Sequence, residues 1–231
     1  MAGRGVRAVL LDMGGVLLPE QQTYERAVRD AAFLAALRDA GVVAPEAFVA
    51  DRAKRLREAY RALEPERTQP DLEAVFADDP PAVRRLLLGA FKRESSPPPY
   101  AHAREVVAAL ARDYALGLVS NTAMPGHHHA DVLRRAGILQ HFGAAVWSAN
   151  FGRRKPDPAI VRFVLDELRV PREHAVLAGD KLRTDVAAAR NAGVRSVYIR
   201  KRGAPWAGRE LRPDFTIGDL RGLPFLLRGL G

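Results

Sequence analysis

At 231 residues the chain has room for one α/β core of ordinary size plus a modest insertion, and not for several full domains. Its 48% hydrophobic and 27% charged content excludes intrinsic disorder, and its lack of cysteine excludes disulfides, thiolate metal sites and thiol nucleophiles. The formal charge of +9 arises from 36 Lys+Arg against 27 Asp+Glu. These basic groups are nearly all arginine, spread over helix-like segments such as Arg52 to Arg61, without interleaved aromatic residues. That pattern reads as solvated helix faces rather than a nucleic-acid surface, although the excess still favours an anionic substrate.

Val6 to Leu11 is a short aliphatic run that ends in Asp12 and Gly14-Gly15, the pattern of a buried strand stopped by a turn. No stretch approaches 18 consecutive apolar residues, and the first ten residues run directly into this strand, so a cytoplasmic protein without a membrane partner is expected. From Pro19 to Pro97 helical patterns dominate: Tyr24 to Ala40, Pro45 to Leu63, Asp71 to Phe76 and Pro81 to Arg93. The Ser95-Ser96-Pro97-Pro98-Pro99 stretch cannot continue a helix and suits a hinge.

After the hinge, strands and helices alternate. The spacing predicts helix Ala103 to Arg112, strand Ala115 to Val119, helix Asp131 to Ala136, strand Ala144 to Trp147 and helix Pro158 to Arg169. Strand Ala175 to Ala178, helix Thr184 to Ala192 and strand Ser196 to Ile199 follow. Such units imply an α/β fold: a doubly wound, mostly parallel, Rossmann-like sheet, here with a small helical cap domain. The expected division is a core of residues 1–18 and 98–231 and a cap of residues 19–97.

Ligands of such sheets bind beyond the carboxyl ends of the strands. Polar groups stand there after four of the expected strands: Asp12, Ser120-Asn121-Thr122, Lys155, and Asp180 with Asp185. Through Leu11-Asp12-Met13-Gly14-Gly15-Val16-Leu17, Val119-Ser120-Asn121, Lys155-Pro156-Asp157-Pro158 and Gly179-Asp180 with Asp185, the chain resembles the haloacid dehalogenase superfamily of phosphatases and related hydrolases. The resemblance implies that Asp12 is a nucleophile and that Ser120 binds the transferring group, with Asn121 and Gly15 as further substrate-binding positions. It also implies that Lys155 steadies nucleophile and substrate, and that Mg²⁺ is held by Asp12, the Gly14 carbonyl, Asp180 and Asp185.

The chemistry agrees with these assignments. Phosphoryl transfer asks for in-line positioning and compensation of negative charge, and a hard cation prefers carboxylate and carbonyl oxygens. Asp157 and Pro158 form an N-cap and first helical residue that would fix the Lys155 loop. One position departs from the family pattern: active phosphatases usually carry a second aspartate two residues after the nucleophile, where this chain has Gly14. A positioned acid is commonly worth about a hundredfold or more in rate. Glu20, one of His127 to His129, or a metal-bound water are the candidate substitutes.

Three functions follow: a Mg²⁺-dependent phosphatase of a small phosphorylated metabolite, a dehalogenase that needs no metal, and a binding or regulatory protein that turns over poorly. Gly14 suits the second, while the acidic pair Asp180 and Asp185 suits the first. The His127-His128-His129 run reads as a solvated turn, because consecutive residues point around a helix axis and do not converge on one ion. No G-x-G-x-x-G fingerprint is present, which excludes the usual dinucleotide site. Glu20, Tyr24, Arg26 and Arg67 are the expected cap residues near the substrate, and they give no readable substrate code or oligomeric state.

Overall fold

The computed structural model describes residues 5–20, 30–95, 97–201, 203 and 211–230. Its centre is a six-stranded sheet in the order β3-β2-β1-β4-β5-β6, formed by β1 (Ala8–Leu11), β2 (Ala115–Ser120), β3 (Ala144–Trp147), β4 (Ala175–Gly179), β5 (Arg195–Ile199) and β6 (Phe215–Ile217). Each neighbouring pair is parallel. All four residues of β1 have no exposed surface. A central parallel strand is covered on both faces, which is why its sequence is a continuous apolar run.

Strand alternation divides that run between two cores. Val9 and Leu11 pack with Val107, Leu110, Leu118 and Leu133 on one face. Ala8 and Leu10 pack with Val119, Ile160, Val164 and Ala189 on the other. The chain winds outward from β1 to β2 and β3, then returns to place β4 on the opposite side of β1 and continues to β6. The winding therefore reverses between β1 and β4, and the crevice at their carboxyl ends is where such sheets bind ligands.

The helices are α1 (Ala31–Asp39), α2 (Pro45–Ala62), α3 (Leu72–Val75), α4 (Pro81–Glu94), α5 (Ala103–Leu110), α6 (Gly126–Arg135), α7 (Ser148–Phe151), α8 (Pro158–Leu168), α9 (Ala187–Ala192) and α10 (Leu223–Arg228). The first four form a third core, with Phe33, Leu37, Val49, Leu56, Phe76 and Leu87 buried together and with Met124 added from the loop after β2. The chain leaves and re-enters the sheet region side by side, since the Tyr100 N–H donates to the Leu17 carbonyl at 2.9 Å. No helix among the described residues is long and apolar enough to cross a membrane.

Four expectations need correction. The helix expected from Tyr24 is described from Ala31, because Asp30 is extended and caps it through Phe33 N; Tyr24 and Arg26 lie outside the described residues. The helix expected at Asp131 begins at Gly126, so the histidine run is helical and not a turn. The helix expected at Thr184 is preceded by a π-helical turn over Leu182–Val186. Finally, α7, β6 and α10 were not expected, and a four-residue helix such as Ser148–Phe151 or a three-residue strand such as Phe215–Ile217 is too short for periodicity to register.

Candidate active site

Asp12 follows β1 directly, and its backbone N–H donates to the Ala178 carbonyl of β4 at 2.9 Å. This register places its side chain at the reversal point between the two strands. Lys155 arrives from the loop before α8. Its backbone is pinned by Asn121, whose amide accepts from Lys155 N at 2.8 Å and donates to Lys155 O at 2.9 Å. The Lys155 ammonium is 1% exposed and lies 2.7 Å from Asp12 Oδ1, 2.8 Å from Asp185 Oδ1 and 2.7 Å from the Val119 carbonyl.

Asp185 is brought in by the π-helical turn. Its Oδ2 accepts from Lys181 N at 2.9 Å, and its carboxyl group packs where a Cβ on Gly179 would stand, 2.3 Å from its Cγ. Such one-turn π bulges commonly redirect a side chain at a functional site. Asp180 Oδ2 accepts from the Lys201 ammonium at 2.5 Å, whereas its buried Oδ1 has no hydrogen-bond partner among the described residues.

Burial pushes the Asp12 carboxyl up to about 7, against the pull of Lys155 and with a push from the neighbouring Asp185 and Asp180. Burial also raises Asp180, opposed by Lys201. For Lys155 burial works against the charge, but Asp12 and Asp185 outweigh it and its affinity for the proton rises. Three carboxylate oxygens, from Asp12, Asp180 and Asp185, lie within 4.8 Å of one another. Crowded carboxylates, hard oxygen donors and an orphaned buried oxygen on Asp180 fit a divalent cation such as Mg²⁺.

A small pocket of about 160 Å³ opens over this cluster, with Asp12, Gly14, Ser120, Asn121, Lys155 and Asp185 on its wall. Gly15 is not brought to that wall. It takes φ +76°, and a Cβ there would fall 2.0 Å from Asp180 Oδ2 and 2.6 Å from the Lys201 ammonium, so its role is a close backbone approach to those two groups. Gly14 is the opposite case, since a Cβ there would meet no heavy atom within 4 Å.

The candidate acids separate clearly. Glu20 lines the pocket, but its carboxylate lies 2.9 Å from the Lys181 ammonium and 3.9 Å from that of Lys201. The bond to Lys181 holds it below the usual carboxylate range, as suits an ion-pair partner rather than a proton donor. His129 has no exposed surface, and its Nε2 lies 2.8 Å from Thr122 Oγ1. The His127 and His128 rings are tilted against each other with centroids 3.9 Å apart. None of the three reaches the pocket wall.

Lys181, Thr184 and Lys201 were missed in the sequence. A signal was present: the chain has only five lysines among 36 basic residues, and three of them, Lys155, Lys181 and Lys201, converge here. A lysine ammonium is a compact point charge with three donors on a flexible stem, unlike the planar guanidinium fork. Arg67 contacts the site only indirectly, through a 3.2 Å bond from Nη1 to the Pro156 carbonyl.

Comparison with known proteins agrees with this geometry. Residues 6–193 match the haloacid dehalogenase-like hydrolase family. A phosphoserine phosphatase from Thermus thermophilus is 36% identical over 143 residues, which cover 62% of this chain and 56% of that protein. A phosphoglycolate phosphatase from Pseudomonas fluorescens is 31% identical over 228 residues, which cover 96% of this chain and 79% of that protein. The first of these matches thus spans little more than half of the relative's length. Among solved structures, a 2-haloacid dehalogenase from Pseudomonas syringae superposes with a TM-score of 0.72 at 23% identity, covering 98% of this chain and 100% of that one. A HAD phosphatase from Thermococcus onnurineus gives 0.68 at 24% identity, covering 97% and 99%. At these identities the two structures speak for a shared fold alone. With the family match over residues 6–193, the strand order and the convergence of Asp12, Lys155, Asp180 and Asp185, the chain belongs to the haloacid dehalogenase-like hydrolases.

Proposed function

We propose that this chain is a Mg²⁺-dependent phosphatase of a small phosphorylated metabolite, acting through an aspartyl-phosphate on Asp12. The observation that carries the reading is the buried Lys155 ammonium bridging Asp12 and Asp185 beside the orphaned oxygen of Asp180. The names of the phosphoserine and phosphoglycolate phosphatase relatives support a small phosphorylated substrate. Residues 1–18 and 98–231 would act as the catalytic core and residues 19–97 as a cap that closes over it.

Asp12 needs no general base to act as a nucleophile once ionised, and Lys155 favours that ionised form. In the attack the Asp12 Oδ–phosphorus bond forms as the ester oxygen–phosphorus bond breaks. Ser120 would donate its hydroxyl to a phosphoryl oxygen, while Lys155 balances negative charge between nucleophile and phosphoryl group. Asp12, the Gly14 carbonyl and Asp180 would hold Mg²⁺, and Asp185 would orient a bound water. When bound, the ion compensates charge on the nucleophile and the phosphoryl oxygens.

With glycine at position 14, no carboxylic acid stands two residues after Asp12, and Glu20 on the pocket wall is held in an ion pair with Lys181. The enzyme would therefore favour esters with acidic leaving groups, which depart without a proton. The same feature favours a second reading, dehalogenation, in which carboxylate attack on carbon expels a halide. Phosphate release should be measured from phosphorylated metabolites, including phosphoglycolate and phosphoserine, and from an aryl phosphate, with and without Mg²⁺. Metal-dependent release that is lost in Asp12→Asn is expected. No release, combined with halide release from 2-haloacids in EDTA, would establish the dehalogenase instead.

A further inference from the structure

Away from the catalytic pocket, a half-open cavity of about 550 Å³ lies at the seam between the helical segment and the sheet. That is within the usual range for small-molecule sites, whereas the catalytic pocket, at about 160 Å³, is well below it. Leu72, Leu88 and Met124 supply apolar wall, and Arg85, Lys92 and His128 supply basic or polar groups. Arg85, Leu88 and Lys92 recur at helical spacing on one face of α4, so both cations flank the same apolar surface. Among the described residues neither side chain forms an ion pair. Asp71 and Glu73 also line the cavity, and Asp71 Oδ1 accepts from Glu73 N at 2.9 Å in capping α3.

Buried hydrogen bonds tie Gln69 on the cavity wall to the loop that follows Ser120. Ser148 Oγ donates to Gln69 Oε1 at 2.7 Å and accepts from Thr122 N at 2.9 Å, and Thr122 Oγ1 lies 2.8 Å from His129 Nε2. Thr122, Ser148, Gln69 and His129 are all buried. No residue lines both spaces.

We propose that the seam cavity is a second ligand site, which takes an organic anion with an apolar body: the body against Leu72, Leu88 and Met124, the anionic group toward Arg85 and Lys92. Its occupant would touch both the helical segment and the loop that follows the Ser120 strand. This site does not depend on which reaction Asp12 performs.

The chain provides its own reporters. Of its three methionines, Met13 lines the catalytic pocket and Met124 the seam cavity. In the full-length protein labelled with methyl-¹³C methionine and assigned through Met124→Leu, 4-phenylbutyrate should shift the Met124 methyl resonance saturably and leave Met13 in place. Inorganic phosphate should do the reverse. The neutral 4-phenylbutanol, and the double variant Arg85→Glu with Lys92→Glu, should each weaken binding about tenfold, since the charge contact is lost while the apolar wall remains. Both residues are exposed, so this variant should fold. The proposal is overturned if Met13 follows the carboxylate titration, if the double variant binds as tightly as the wild type, or if no saturable Met124 shift occurs.

Discussion

The catalytic cleft and the helical segment beside it are both buried, yet opposite forces hold them. In the cleft, Asp12, Lys155 and Asp185 are 6%, 1% and 1% exposed and persist there because each charge has an opposite charge within hydrogen-bond distance. In the helical segment the corresponding positions are Phe76, Leu37 and Leu87, which need only shape and apolar company. Removing a cleft residue leaves an uncompensated charge, whereas removing a residue of the helical core leaves a hole. The seam combines both, since buried Arg154 bonds to Glu64, the Tyr60 carbonyl and the Thr68 carbonyl across the junction.

This contrast can be tested, starting with the largest effect. Lys155→Met strands Asp12 and Asp185, and turnover should fall by about a thousandfold while stability drops by about 3–5 kcal/mol. Steady-state kinetics and urea unfolding measure the two losses. Phe76→Ala should cost about 3–5 kcal/mol as well, but kcat of the molecules that remain folded should stay near wild type. A kcat loss as severe as that of Lys155→Met would erase the distinction between the regions.

His129 tests the boundary between them. Burial, with a smaller contribution from His128, lowers it from its ordinary 6.5 to about 4. Between those values the unfolded chain binds a proton that the folded chain does not, so stability rises with pH across that window and is lost as pH falls. Between pH 7 and pH 5 the loss from this group should be about 2 kcal/mol. In His129→Gln the unfolding free energy should show a correspondingly flatter pH dependence, and an unchanged slope would remove His129 as the cause.

The smallest expected effect is a gain. Because a Cβ at position 14 meets no heavy atom within 4 Å, Gly14→Asp should be accommodated and should raise turnover of alkyl phosphates by about tenfold to a hundredfold. Aryl phosphates, whose leaving groups need no proton, should gain much less. Equal gains on both substrate types would mean that the missing acid is not what limits the enzyme.

Much of the sheet was legible in the sequence, because each buried parallel strand is an apolar run followed by a polar residue or a turn. Asp12, Ser120, Lys155 and Asp180 could be marked as strand-end groups for that reason. The histidine run was not legible as structure: Pro125 and Gly126 signal a turn as readily as a helix start, and only the packing of His129 against Thr122 decides between them. The short β6 and α10 carry too little pattern to be seen without the strand and core they join.

By itself the sequence determined the α/β alternation, the helical insertion and the chemical kinds of group available, since local periodicity and turn residues act over a few neighbours. Tertiary structure alone decided which of those groups meet. Lys155 and Asp12 are 143 positions apart and form a 2.7 Å ion pair, Lys201 reaches Asp180 from the loop after β5, and Glu20 is held in an ion pair with Lys181. The physical reason is that charge compensation depends on distance in space within a buried environment, and that distance is set by strand order, which no local pattern encodes.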